Sequence, residues 1–141
     1  MASRARRRLR GAGTPAAADP ARQHRVAAAF LAASRGEDFG DLLTLLDPAV
    51  VLRADAGNGP LGPSRLVKGA LEVAAQASRF AHLARFAHPV LVNGTPGFLV
   101  APDGQPLALI GLAVRDDKIT EIDILADPER LSRLDLTSLI R

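Results

Sequence analysis

The stretch that decides the fold is Pro106–Leu131, PLALIGLAVRDDKITEIDILADPERL. It predicts two β-strands joined by a tight turn, then a short helix. Leu107 to Arg115 is almost wholly apolar, which predicts a strand buried on both faces. Ile119 to Leu125 alternates. Successive strand side chains point to opposite sides, so Thr120, Ile122 and Ile124 share one face and Ile119, Glu121, Asp123 and Leu125 the other. Between the strands, Asp116-Asp117 tolerates the left-handed backbone of a hairpin turn, although less readily than Asn-Gly. Asp127-Pro128 stops the second strand and opens a helix, with Asp as N-cap and Pro at the first helical position. A long apolar hairpin of this kind is a spine on which other elements pack.

Upstream of that spine, helices dominate. Asp19-Pro20 predicts a helix start. Val26, Ala27, Phe30, Leu31 and Ala33 form its apolar stripe up to Gly36. A second helix runs from about Asp38 to Asp47-Pro48. Ala49 to Ala54 predicts a strand, and the following Asp55 to Pro63, DAGNGPLGP, is too rich in Gly and Pro for regular structure. A longer helix is expected from Ala70 to about Phe86. Strands follow at His88 to Val92 and Gly97 to Ala101, with turns at Asn93-Gly94 and Asp103-Gly104. Helices early and antiparallel strands late are the α+β pattern, here a curved antiparallel sheet wrapped on a long helix with N-terminal helices, a cone that encloses a pocket.

Composition narrows the chemistry. The chain of 141 residues is the size of one ordinary domain, and a hydrophobic content of 48% supports a core. There are five Phe but no Trp, Tyr or Cys, so the core must be aliphatic, and disulfides and thiolate metal sites are excluded. The lack of Cys fits the cytoplasm. No apolar run is long enough for a membrane span, and no apolar segment follows the N-terminal arginines as a secretory signal would require. The net charge of +3 hides an asymmetry: Arg4, Arg6, Arg7, Arg8 and Arg10 lie in a basic segment with no acid, while from Asp19 onward 13 basic residues face 15 acidic ones. Such a segment either contacts nucleic-acid phosphates or is simply solvated.

Candidate chemistry is sparse. Glu121 and Asp123 lie two apart on a strand, where paired acids perform acid–base work or form a solvated face. Asp55 opens the Gly-rich loop as a base at the mouth of a pocket or as a turn-stabilising residue. His24, His82 and His88 have no metal-ligand spacing, so no metal and no cofactor is expected. The loop lacks the pattern of a phosphate cradle. Its bare backbone suits close approach to another surface or plain connection.

Four stretches carry a resemblance. Val26–Asp55, VAAAFLAASRGEDFGDLLTLLDPAVVLRAD, is similar to the opening helices and first strand of the SnoaL-like domains of the nuclear transport factor two-like superfamily, whose cone is also described as cystatin-like. Ala81–Gly111, AHLARFAHPVLVNGTPGFLVAPDGQPLALIG, resembles the middle strands. Ile119–Leu131, ITEIDILADPERL, resembles the last strand and a terminal motif found in the C-terminal extension of extracytoplasmic-function (ECF) RNA polymerase sigma factors. Ala2–Gly11, ASRARRRLRG, resembles the end of the recognition helix of sigma region four. The resemblance implies two parts: residues 1–18, a remnant of region four with a linker, and residues 19–141, a SnoaL-like domain.

The resemblance further implies a regulatory, non-catalytic domain that modulates transcription initiation by packing on its own sigma factor. Its partners would be sigma regions two and four and the RNA polymerase core, with DNA reached only through the full-length sigma factor. By position, Asp55, Gly57, Gly59, Asp127, Pro128, Glu129, Arg130 and Leu131 match the contact residues. The match has departures: Ala56 and Asn58 interrupt the loop's glycines, no Lys follows, and Asp127 and Arg130 stand where Asn and Lys are usual. Two alternatives remain open. One is an isomerase- or cyclase-type enzyme using Asp55, His88 or Asp123, although without Tyr a common oxyanion donor is missing. The other is a domain that binds a small apolar ligand. Superfamily sheets often pair, so a homodimer is a further option. Region two and most of region four are not in the sequence, which suggests a fragment or a mis-started reading frame. A recognition helix needs its supporting helix to dock. In a gel shift with promoter DNA the chain alone should therefore bind only in a salt-sensitive, sequence-independent way; tight sequence-specific binding would contradict this.

Overall fold

The structure is a computed structural model and describes residues 19–135. The arginines expected to be a region-four remnant, Arg4 to Arg10, lie outside the described residues. Helix α1 spans Pro20–Arg35 and α2 spans Phe39–Leu45. Both starts are capped as their sequences require: the Asp19 carboxylate accepts from Arg22 N at 2.9 Å and that of Asp38 from Asp41 N at 3.0 Å. Strand β1 (Leu46–Asp55) and the short strand β2 (Arg65–Lys68) precede α3 (Ala70–Arg79) and a 3₁₀ segment, Ala81–Phe86. Then come β3 (Ala87–Val92), β4 (Thr95–Val100), β5 (Ala108–Arg115), β6 (Lys118–Leu125) and α4 (Pro128–Ser132).

The six strands form one sheet in the order β2-β1-β6-β5-β4-β3. The α+β class and the helix-backed sheet are as expected. One pairing departs from the antiparallel expectation: β1 runs parallel to β6, with Leu52 opposite Ile122 and Asp55 opposite Leu125. The chain between them carries α3 and four strands, ample length for the crossover that a parallel pair needs. The inner face of the sheet packs on α1, where the Phe30 and Phe98 rings stack with centroids 6.3 Å apart. Val50, Leu52, Phe98, Val100, Leu112, Ile119 and Ile122 are all buried in that main core.

Four further details differ from the sequence reading. Strict alternation puts Ile119 and Ile122 on opposite faces, yet both are buried in the same core. A β-bulge resolves this: Ala113 is opposite Glu121 while Val114 is opposite Ile119, so Thr120 is the extra residue and the phase resets. Strand β5 is not buried on both faces throughout, because Ala113 and Arg115 are exposed. Only its first half is covered on the outer side, where Leu109 packs beside Leu131 of α4. The helix expected over 70–86 breaks at Phe80, which leaves helical geometry (φ −108°, ψ 15°). Arg35 braces the 3₁₀ segment after the break by donating to Ala84 O (3.2 Å) and Ala87 O (3.1 Å). Strand β2 lacked a signal because four residues, RLVK, are too few to show a period.

The turns follow their residues. Asp116 (φ 52°) and Asp117 (φ 64°) both take left-handed backbone in the β5–β6 hairpin, and Asn93-Gly94 does so between β3 and β4.

Candidate functional site

The Gly-rich loop and the terminal motif are more than 60 residues apart in sequence, yet they meet. Parallel pairing carries β1 and β6 out of the same end of the sheet, and Ala126 N donates to Asp55 O at 2.7 Å, extending the ladder by one bond. Ala56 and Ala126 are both buried at this exit. Residues 56–64 then form an irregular loop, as expected. Gly59 N donates to Ala56 O at 2.8 Å, and Ser64 Oγ accepts from Ala56 N at 2.9 Å.

On the other side, Asp127 caps α4 by accepting from Glu129 N at 3.1 Å, with Pro128 at the first helical turn. Leu131 is buried against Leu99, Ala101, Val90, Leu109 and Leu125, so α4 lies across one end of the sheet's outer face. This anchoring leaves the Arg130 guanidinium to pair with the Asp55 carboxylate. Both side chains are about half exposed (56% and 46%), so the pair contributes at most ~1 kcal/mol and serves orientation more than stability. Glu129 pairs with Arg133 at 2.7 Å on the solvent side of the same helix.

The glycines explain how closely the two segments fit. Gly57 has φ +52°, and a Cβ there would lie 2.6 Å from the Asp127 carboxyl carbon. A Cβ on Gly59 would lie 2.6 Å from Ala126 O and 2.9 Å from Pro128 Cδ. The bare backbone at both positions is thus first taken up inside the chain, against the terminal motif. The sequence reading had assigned that bareness to an external partner or to plain connection. The signal for the internal fit was present in Gly57 and Gly59 themselves, but nothing in the sequence gave its direction.

The three alternative catalytic residues do not share the inner pocket. That pocket is an apolar cavity of about 130 Å³ between the sheet, α1 and α3, and among the described residues its polar lining consists of Ser34, Arg65 and Gln76. Neither Asp55, His88 nor Asp123 lines it. Asp55 and Asp123 border a separate groove on the outer face, and His88 lies on β3 opposite Leu99. Glu121 and Asp123 share Arg53 of β1, at 3.2 Å and 3.7 Å. Partial loss of solvent raises the Asp123 carboxyl above its ordinary value of 3.8; Arg53 opposes this and Glu121 adds to it. Among the described residues no group of three or more His, Asp or Glu side chains is arranged to hold a metal ion, and no helix is long and apolar enough to cross a membrane.

The geometry is that of an NTF2-like, SnoaL-like cone. Two NTF2-like proteins share the fold: one from Burkholderia xenovorans (TM-score 0.55, 18% identity, 82% of this chain and 96% of that one) and one from Cytophaga hutchinsonii (0.54, 15%, 78% and 94%). More specific is the crystal structure of the ECF sigma factor SigJ of Mycobacterium tuberculosis, with a TM-score of 0.68 and 25% identity over 84% of this chain and 47% of that one. In sequence the chain is 31% identical over 135 residues to a Mycobacterium tuberculosis protein named "Probable ECF RNA polymerase sigma factor SigI", covering 95% of this chain and 45% of the relative. No family model matches the chain. The chain has the NTF2-like, SnoaL-like fold and is similar to ECF sigma factors over nearly its whole length, and it spans about half the length of the curated relatives it matches.

Two outcomes test this site. Gly59→Ala should lower stability in urea by ~1–3 kcal/mol, because the added methyl meets backbone oxygens that cannot turn aside. The Asp123 carboxyl, followed by ¹³C NMR, should titrate above 3.8 and move higher still in Arg53→Ala. A raised folded-state value means that the native protein holds this proton more tightly. The stability it contributes is present below 3.8 and is lost as pH rises through the folded value.

Proposed function

We propose that the chain is a regulatory, non-catalytic domain of an ECF sigma factor, working in the cytoplasm, and that it modulates transcription initiation by packing on the sigma domains. The observation that carries this reading is the joining of the Gly-rich loop to α4. Asp55, Gly57, Gly59 and Asp127 to Arg130 form one continuous outer ridge, held from within by Leu131. The exposed charges of Asp55, Glu129 and Arg130 give that ridge a defined polar pattern, which suits selective docking on sigma regions two and four. The similarity to SigI and SigJ supplies the class of partner. Catalysis by an isomerase or cyclase mechanism would need an acid or base facing the substrate, and among the described residues no carboxylate and no His lines the inner cavity.

The test is a transcription reporter driven by the corresponding full-length sigma factor. Asp55→Ala and Arg130→Ala should each change reporter output, while binding of the purified chain to a region two–region four fragment should weaken several-fold. The double variant should cost less than the sum of the two single changes, since the residues act as a pair. Unchanged output and unchanged binding in both single variants would refute the proposal.

A further inference from the structure

The inner cavity holds a feature that an inert core does not need. Arg65 lines it, although the remaining walls are almost entirely Leu, Ile, Phe, Val and Ala. The guanidinium is held in place: Nε donates to Pro63 O (3.2 Å), Nη1 to Gln76 Oε1 (2.7 Å) and Nη2 to Leu61 O (2.7 Å). It also lies over the Phe80 ring, 5.5 Å from the centroid. All three acceptors are uncharged, and among the described residues no carboxylate stands at ion-pairing distance from Arg65. Arg carries five N–H donors, so each Nη keeps one for another acceptor. The charge is thus solvated only by neutral acceptors, and a carboxylate would supply both the opposite charge and acceptors for the remaining N–H groups.

The cavity's size sets the other end of the ligand. At about 130 Å³ it is comparable to an engineered apolar cavity of ~150 Å³ that takes up benzene. We infer that the cone binds a small apolar carboxylate, of the size of benzoate or a short branched-chain acid, with its carboxylate on Arg65 and its apolar body among Phe30, Leu52, Phe80 and Ile122. This inference does not depend on the docking role proposed above, because it concerns the opposite face of the sheet.

The experiment uses the 141-residue chain, with benzoate as probe and benzyl alcohol as its neutral counterpart, read by calorimetric titration and thermal melting. Benzoate should bind and raise the melting temperature in proportion to its concentration, with benzyl alcohol at least about tenfold weaker. Ala77→Leu, which fills the cavity and leaves Arg65 in place, should abolish benzoate binding. Arg65→Gln should reduce benzoate affinity to that of the alcohol. If Arg65→Gln does not fold, the comparison of acid with alcohol on the unaltered chain decides the same point. Equal affinity for acid and alcohol, benzoate binding that survives Ala77→Leu, or no binding at millimolar benzoate would each overturn the inference.

Discussion

The parallel pairing of β1 with β6 is the constraint on which the rest of the molecule depends. Leu52 opposite Ile122 buries two of the core's side chains, and Asp55 opposite Leu125 brings both strand ends to the same rim. An antiparallel pairing of equal length would separate those ends by the length of a strand, roughly 25 Å for eight residues. The Gly-rich loop and the terminal motif would then never touch. In the parallel arrangement, one backbone hydrogen bond from Ala126 to Asp55 locks the register at the exit. Everything that follows, from the glycine contacts to the Asp55–Arg130 pair, is built on that placement.

Within the joined segments, the energetic roles divide. The apolar contact of Leu131 with Leu99, Leu109 and Leu125 holds α4 to the sheet, since a fully buried Leu is worth ~1.5–3 kcal/mol. The ion pair of Asp55 with Arg130 adds little by comparison, because both groups remain half in water. What the pair does is fix how two exposed charges are presented. The five-residue helix α4 would not persist alone. Its N-cap at Asp127, its anchor at Leu131 and the glycines beneath it supply the order that its length cannot.

Much of this was legible in the sequence, and the remainder was hidden for identifiable reasons. Local chemistry was readable: Asp19-Pro20 and Asp127-Pro128 as helix starts, a second helix from about Asp38, and Asn93-Gly94 and Asp116-Asp117 as turns. The loop and the terminal motif were both recognisable as segments, but their contact was not, because it depends on pairing between residues 70 or more apart in sequence. The bulge at Thr120 was equally invisible, since alternation presumes an uninterrupted ladder, and so Ile119 was assigned to the wrong face. A lone Arg in a four-residue strand carries no motif, so the sequence does not single out Arg65. Its significance arises from the apolar walls around it and from the lack, among the described residues, of a carboxylate at ion-pairing distance.

The loop from Ala56 to Leu61 belongs to both faces of the molecule. Ala56 and Leu61 line the inner cavity, and Leu61 O holds the Arg65 guanidinium. Gly57 and Gly59 press against Asp127 and Pro128 on the outside. Proteins pack too densely for such a loop to shift on one side alone. A change in what fills the cavity would bear on the ridge formed by the loop and α4 through the two glycines, where an added Cβ would lie only 2.6–2.9 Å from Asp127, Ala126 or Pro128. In a domain whose proposed work is docking, a loop shared between the interior and the docking ridge is the shortest physical route by which one could bias the other.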